Sequence, residues 1–305
     1  MQALPDISRK SWLMVAVLGF VWGSTFMVIE IALEGIPPFW LATGRLGFAA
    51  VTICAFWALS GMRLSLDPTN KPTTSQIFMT GALSSGVPFL LLSWGQQYVT
   101  SGFAGTSMAV VPLIVLPLAH FFVQGEQLNL RKSIGMAMGF AGVFVLVGAD
   151  ALQSTGADLE VWGRLACIGV AACYAVNSIT IRRLPPVDPI GLTAMMMVTG
   201  TLVALPFALF FEGIPPVPPA KAFFALLVLG ILSTAAMNLL RVIVIRSAGP
   251  TFMTLVNYQV PVWSVVLGGL ILNEALPPTL LLALVLILSG LALSQWGALT
   301  RLFRR

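Results

Sequence analysis

The sequence predicts an all-α integral membrane protein, with ten transmembrane helices arranged as two inverted five-helix repeats over residues 1–150 and 151–305. Three observations predict it: scarce charge, apolar blocks of bilayer length, and an echo between the two halves. Hydrophobic residues make up 58% of the 305 and charged residues only 9%, against about 25% charged in a soluble domain. Sixteen basic and 11 acidic side chains are too few to solvate a water-facing globule of this length. The apolar residues come in blocks of about 20, which at about 1.5 Å per residue match a hydrocarbon core of roughly 30 Å.

In order, the blocks run over 12–33, 39–60, 75–97, 102–123, 132–149, 160–182, 190–211, 221–247, 250–272 and 277–298. The first, from Trp12 to Leu33, exceeds the roughly 7–15-residue core of a cleavable signal. It stops at the Gly35–Pro38 turn, so it reads as a retained helix. Spans three, four and nine carry Pro88, Pro112 with Pro117, and Pro261. A proline inside a span removes a backbone hydrogen bond and bends the helix, and the freed carbonyl needs a partner in protein or cavity water.

Orientation follows from the basic residues. With the N-terminus in the cytoplasm, that face carries Arg9, Lys10, Arg63, Lys71, Arg131, Lys132, Arg182, Arg183, Arg246, Arg301, Arg304 and Arg305, and the opposite face only Arg164 and Lys221. The outer loops hold Glu34, Asp150, Asp158, Glu160, Glu212 and Glu274. Both termini are therefore expected in the cytoplasm. The net charge of +5 is dispersed over short loops, which excludes a nucleic-acid footprint. Cys54, Cys167 and Cys173 lie at membrane depth with no Cys-x-x-Cys pair and read as small buried apolar residues.

The internal echo is the most informative feature. Gly81-Ala82-Leu83-Ser84-Ser85 in span three returns 149 residues later as Gly230-Ile231-Leu232-Ser233-Thr234 in span eight, and Pro112 meets Pro261 at the same shift. At neighbouring shifts Glu126-Gln127-Leu128 meets Glu274-Ala275-Leu276, Gly142 meets Gly290, and Trp22 meets Tyr174. Five spans per repeat is an odd number, so the second copy enters the membrane from the opposite side. A site between such halves opens to either face when the two copies exchange conformations.

Several motifs then stand in a characteristic order: Trp22-Gly23-Ser24-Thr25-Phe26 in span one, Arg45-Leu46 early in span two, the prolines of spans four and nine, and Gly125-Glu126-x-Leu128 ahead of span five. Together they resemble the EamA branch of the drug/metabolite transporter superfamily over essentially the whole chain. The resemblance implies a carrier of small metabolites in a bacterial inner membrane, and is greatest to amino-acid exporters, aromatic amino acids included. The second repeat departs from the pattern, with Tyr174-Ala175-Val176-Asn177-Ser178 where the first has Trp-Gly-Ser-Thr-Phe, so the motif's role need not be symmetric.

Ionisable groups inside lipid are functional candidates by default. Glu30 lies about 27 Å along the first helix from Trp12, near the outer boundary, at the depth of Arg45. The two read as an ion pair or outer-gate element, with substrate or proton handling as the alternative. Arg241 and His120 fall toward the cytoplasmic ends of their spans and read as side chains that snorkel or hydrogen-bond at the interface. The midplane offers neutral groups as substrate contacts: Trp22 and Thr25, Tyr174 and Asn177, Ser233 and Asn238, and the run Asn257, Tyr258, Gln259, which covers about 200° of a helix. Pro112 and Pro261, as repeat mates, read as hinges.

A neutral polar and aromatic midplane suits a zwitterion with an apolar side chain, so amino acids are the expected cargo and small lipophilic drugs the alternative. No Walker loop indicates ATP drive, and no histidine–carboxylate array indicates an intramembrane metalloenzyme. No cofactor, metal or obligatory protein partner is expected. With no carboxylate at the midplane, facilitated diffusion is expected in preference to proton coupling.

Overall fold

The computed structural model describes residues 7–67, 69–99, 104, 105, 107, 108, 110–125, 127, 129–147, 159–271, 280–294 and 296. Among them the chain is helical, and β pairing is limited to one bridge between Ser65 and Val187. Helix α1 spans Arg9–Leu33, where a capping box of Ser8 and Ser11 satisfies the first-turn amides. Helix α2, Pro38–Leu59, begins with proline and no side-chain cap of its own. Helix α3, Thr74–Gly95, opens on a Thr73–Gln76 capping box and changes to π-helix over Ala82–Gly86. Helices α4, Val110–Phe122, and α5, Leu130–Val147, complete the first half.

Helix α6 is Glu160–Arg183, and α7 is Pro189–Glu212, capped by Asp188 through the amides of Ile190 and Gly191. Helix α8, Ala220–Ala248, carries a second π segment over Val228–Ala236. A helical turn, Pro250–Met253, precedes α9, Val256–Ile271, and α10 is Leu280–Ser294.

Helices α1, α2, α3, α6, α7 and α8 are each long and apolar enough to cross a bilayer, which makes this a multi-pass membrane protein. The other four expected spans are described as helices of 13, 18, 16 and 15 residues. Residues 101–103, 148–158 and 272–279, with the expected boundary at residue 150, lie outside the described residues. So do Glu126, Leu128, Asp150, Asp158, Glu274–Leu276, Arg301, Arg304 and Arg305. Large apolar side chains such as Leu13, Val51, Phe56, Leu202 and Phe210 point outward; such a surface would drive association in water and is the ordinary exterior in lipid.

The principal packed pairs are α5 with α10, α2 with α7, α1 with α9, α3 with α6, α4 with α6, α2 with α8, α3 with α7 and α1 with α8. Small residues set the closest approaches, as expected where lipid supplies no hydrophobic drive between helices. Gly19 and Gly23 on α1 receive Gln259 and Trp263 of α9, leaving no room for a β-carbon at either position. Gly135 and Gly139 of α5 likewise meet Gly290 of α10 backbone to backbone.

The helix ends are tied across the molecule. The Glu212 carboxylate, at the end of α7, accepts the amides of Phe39 and Trp40 at 2.9 and 2.8 Å and so caps α2. Beside it Lys221 pairs with Glu34 at 2.7 Å. At the opposite end Arg246 donates to the carbonyls of Ile181 and Leu184, and Arg182 donates to those of Ile245 and Arg246. The ends of α6 and α8 thus clasp each other reciprocally.

Candidate functional site

One cavity lies where seven helical segments meet. Trp22, Thr25 and Phe26 of α1 line it, with Arg45 of α2, Phe89 and Leu92 of α3, and Met108 and Val111 at the start of α4. From the other half come Tyr174 and Ser178 of α6, Asn238 and Arg241 of α8, and Met253, Thr254, Asn257 and Val260 around the start of α9. Its volume is about 70 Å³, well below the roughly 300–1,000 Å³ of a typical small-molecule site. In this conformation the cavity is contracted, and a metabolite-sized solute needs the lining helices to separate.

Irregular backbone shapes the lining. The two π segments are the repeated sequence itself: Ser84 and Ser85 lie in the first, and their mates Ser233 and Thr234 in the second. Such segments shift the helical ladder and recur at functional sites. The Ser233 carbonyl, in the second, accepts Trp22 Nε1 at 3.0 Å, which fixes the indole in the wall. Ahead of α9 the ladder tightens: the Thr254 amide is shared between the carbonyls of Pro250 and Thr251, and the amides of Leu255 and Asn257 bond to the carbonyls of Phe252 and Thr254, each three residues back. Ahead of α4 the same shortened pattern joins Met108 to Gly105 and Val111 to Met108.

Two arginines dominate the electrostatics. Arg45, 3% exposed, donates Nε to Thr234 Oγ1 at 3.1 Å and lies 3.9 Å over the Phe89 ring. Arg241, also 3% exposed, donates Nη1 to Ser84 Oγ at 3.1 Å and Nη2 to Ser178 Oγ at 3.4 Å and the Tyr174 carbonyl at 3.5 Å. Its guanidinium also faces the Tyr174 ring at 5.3 Å. Each arginine therefore rests on a hydroxyl from one of the two π segments. No acidic side chain lines the cavity among the described residues.

The expected contacts divide cleanly. Trp22, Thr25, Tyr174, Asn238 and Asn257 reach the cavity; Asn177, Ser233, Tyr258 and Gln259 do not. Asn177 is fully buried with no partner for its amide among the described residues. Ser233 contributes its carbonyl, its side chain being buried elsewhere. Tyr258 packs its ring on Gly139, and Gln259 covers Gly19; one turn of α9 thus faces three neighbours at once.

Two electrostatic expectations need correction. Arg45, expected to pair with Glu30 at the outer gate, is instead a wall of the cavity, whereas Glu30 is exposed and lies outside the lining. Arg241 does not snorkel: hydroxyls and a carbonyl hold it inside the protein. The cavity wall is therefore not neutral. Pro112 is buried in the first turn of α4 and Pro261 is buried within α9.

A bundle of apolar helices around a mainly apolar, aromatic-walled cavity that carries two buried arginines defines a multi-pass membrane protein that handles a small solute. The family assignment agrees: the model of the EamA-like transporter family matches residues 9–148 and again 161–296, and the chain belongs to that family. It is 24% identical to the Uncharacterized transporter YoaV of Bacillus subtilis over 94% of this chain and 97% of that one. To the Uncharacterized inner membrane transporter YedA of Escherichia coli K12 it is 27% identical, over 92% and 89%. A protein known from a crystal structure superposes with a TM-score of 0.76 at 24% identity, covering 95% of this chain and 99% of that one; this likeness is one of fold.

Proposed function

We propose that this protein is a secondary carrier of ten spans in two inverted halves, 1–150 and 151–305. It exports small amphipathic metabolites, amino acids among them, across a bacterial inner membrane by exposing one central cavity to each side in turn. The observation that carries the reading is that the two halves surround the cavity with backbone interrupted at matching places: π segments in α3 and α8, whose Ser84 and Thr234 hydroxyls hold the lining arginines, and shortened turns before α4 and α9. Discontinuous helices at a repeat interface are what alternating access uses.

The packing supports the inverted arrangement. Exchanging each of the first five helices with its mate turns the α1–α9 contact into α6–α4, α2–α8 into α7–α3, and α3–α6 into α8–α1, and returns α2–α7 and α5–α10 to themselves. The family model matches once in each half. The distribution of lysine and arginine supports cytoplasmic termini, and hence the Arg182–Arg246 clasp on the cytoplasmic side.

Site-directed labelling tests this reading. In a background with Cys54, Cys167 and Cys173 replaced by alanine, Asn257→Cys is exposed to a membrane-impermeant maleimide from either side of sealed vesicles. Labelling from both sides, slowed by substrate, is expected; labelling from one side only under every substrate condition contradicts alternating access.

A further inference from the structure

We infer that the cavity is a carboxylate site, and that the preferred solute is a monoanion with an apolar or aromatic body and no need of an ammonium group. This deepens the carrier reading and rests on it. The two guanidinium groups are buried in one cavity, and no acid among the described lining residues neutralises them. Two like charges withdrawn from water repel each other and lack a counter-charge, so an arriving anion relieves both.

The hydrogen bonds say which arginine takes the ligand. Arg241 is already engaged with Ser84, Ser178 and the Tyr174 carbonyl; it acts as a fixed positive charge. Arg45 commits only Nε, to Thr234. Its two Nη groups have no acceptor among the described residues, and the plane is held over Phe89 in the cavity wall. A planar fork with its outer donors uncommitted matches one carboxylate in bidentate fashion. Trp22, Phe26 and Phe89 supply the apolar wall for the rest of the molecule. For an ammonium the described lining offers side-chain amides and hydroxyls but no carboxylate, and two nearby guanidinium groups oppose it.

A matched series tests this by calorimetry on the full chain in lipid nanodiscs: 3-phenylpropanoate, phenylalanine and 2-phenylethylamine, which share one body as anion, zwitterion and cation. The anion is expected to bind tightest, with the amine weaker by about a hundredfold or more and phenylalanine between them, each tenfold step being about 1.4 kcal/mol. Arg45→Lys, which keeps the charge and removes the fork, is expected to weaken the anion about tenfold, and Arg45→Gln to abolish the order. Amine or zwitterion binding as tight as the anion's, no binding by any of the three, or an unchanged order in a monodisperse Arg45→Gln protein overturns the proposal. Counterflow in vesicles separates the two readings. The expected binding order without counterflow removes the carrier and keeps the anion site; counterflow of amines untouched by Arg45→Gln does the reverse.

Discussion

At Trp22 a single nitrogen ties the two halves together, because its indole N–H reaches the Ser233 carbonyl in the π segment of α8. Trp22→Phe keeps an aromatic wall and strands that carbonyl, so unfolding in nanodiscs is expected at lower temperature, by about 1–3 kcal/mol of stability, with slower flux. Glu30 sits outside the cavity lining and is exposed. Glu30→Gln is therefore expected to leave substrate-driven exchange measurable; uphill transport driven by a pH gradient alone, lost in Glu30→Gln, would contradict uncoupled transport. The site was legible in the sequence where depth decided membership, as for Trp22, Tyr174 and Asn257. It was illegible where direction decided: Tyr258 and Gln259 share the depth of Asn257 but turn toward α5 and α1. Arg241 was misplaced because its position along α8 suggested snorkelling, while the partners that hold it inward come from α3 and α6, remote in sequence.

At the level of elements, the helices are held by close contacts that tolerate little. A β-carbon at Gly23 would overlap Trp263, and one at Gly139 would sit 2.8 Å from the Tyr258 ring. Gly23→Leu is expected to force α1 and α9 apart and to reduce the monodisperse yield sharply, beyond the roughly 1–3 kcal/mol of an overpacked core, as read by size-exclusion chromatography. Gly61→Ala, in the open Gly61–Met62 turn, touches nothing; its φ of +89° makes it the milder backbone control. Pro261→Ala restores a backbone donor inside α9. If the proline is a hinge, the variant unfolds no earlier than the parent but exchanges substrate more slowly; equal exchange rates would make the bend static. The π segment of α8 bears on why that span, read correctly by length, still misled at Ser233: hydropathy registers length, whereas a π turn shifts side chains around the axis.

For the whole molecule, helices from both halves of the sequence share one small central cavity, and helix ends are tied on both sides of it. The Glu34–Lys221 pair and the Glu212 cap tie helix ends on one side, and the Arg182–Arg246 clasp ties them on the other. The membrane class and the six long spans were legible in the sequence because lipid imposes length on every span. The charge of the central cavity was not, since it depends on which faces of α2 and α8 turn inward. Counterflow in reconstituted vesicles tests the central claim most directly. Vesicles preloaded with unlabelled solute are expected to accumulate labelled solute transiently above its outside concentration, and to do so less in Arg45→Gln. Uptake that is linear in concentration and indifferent to the preload would contradict a carrier.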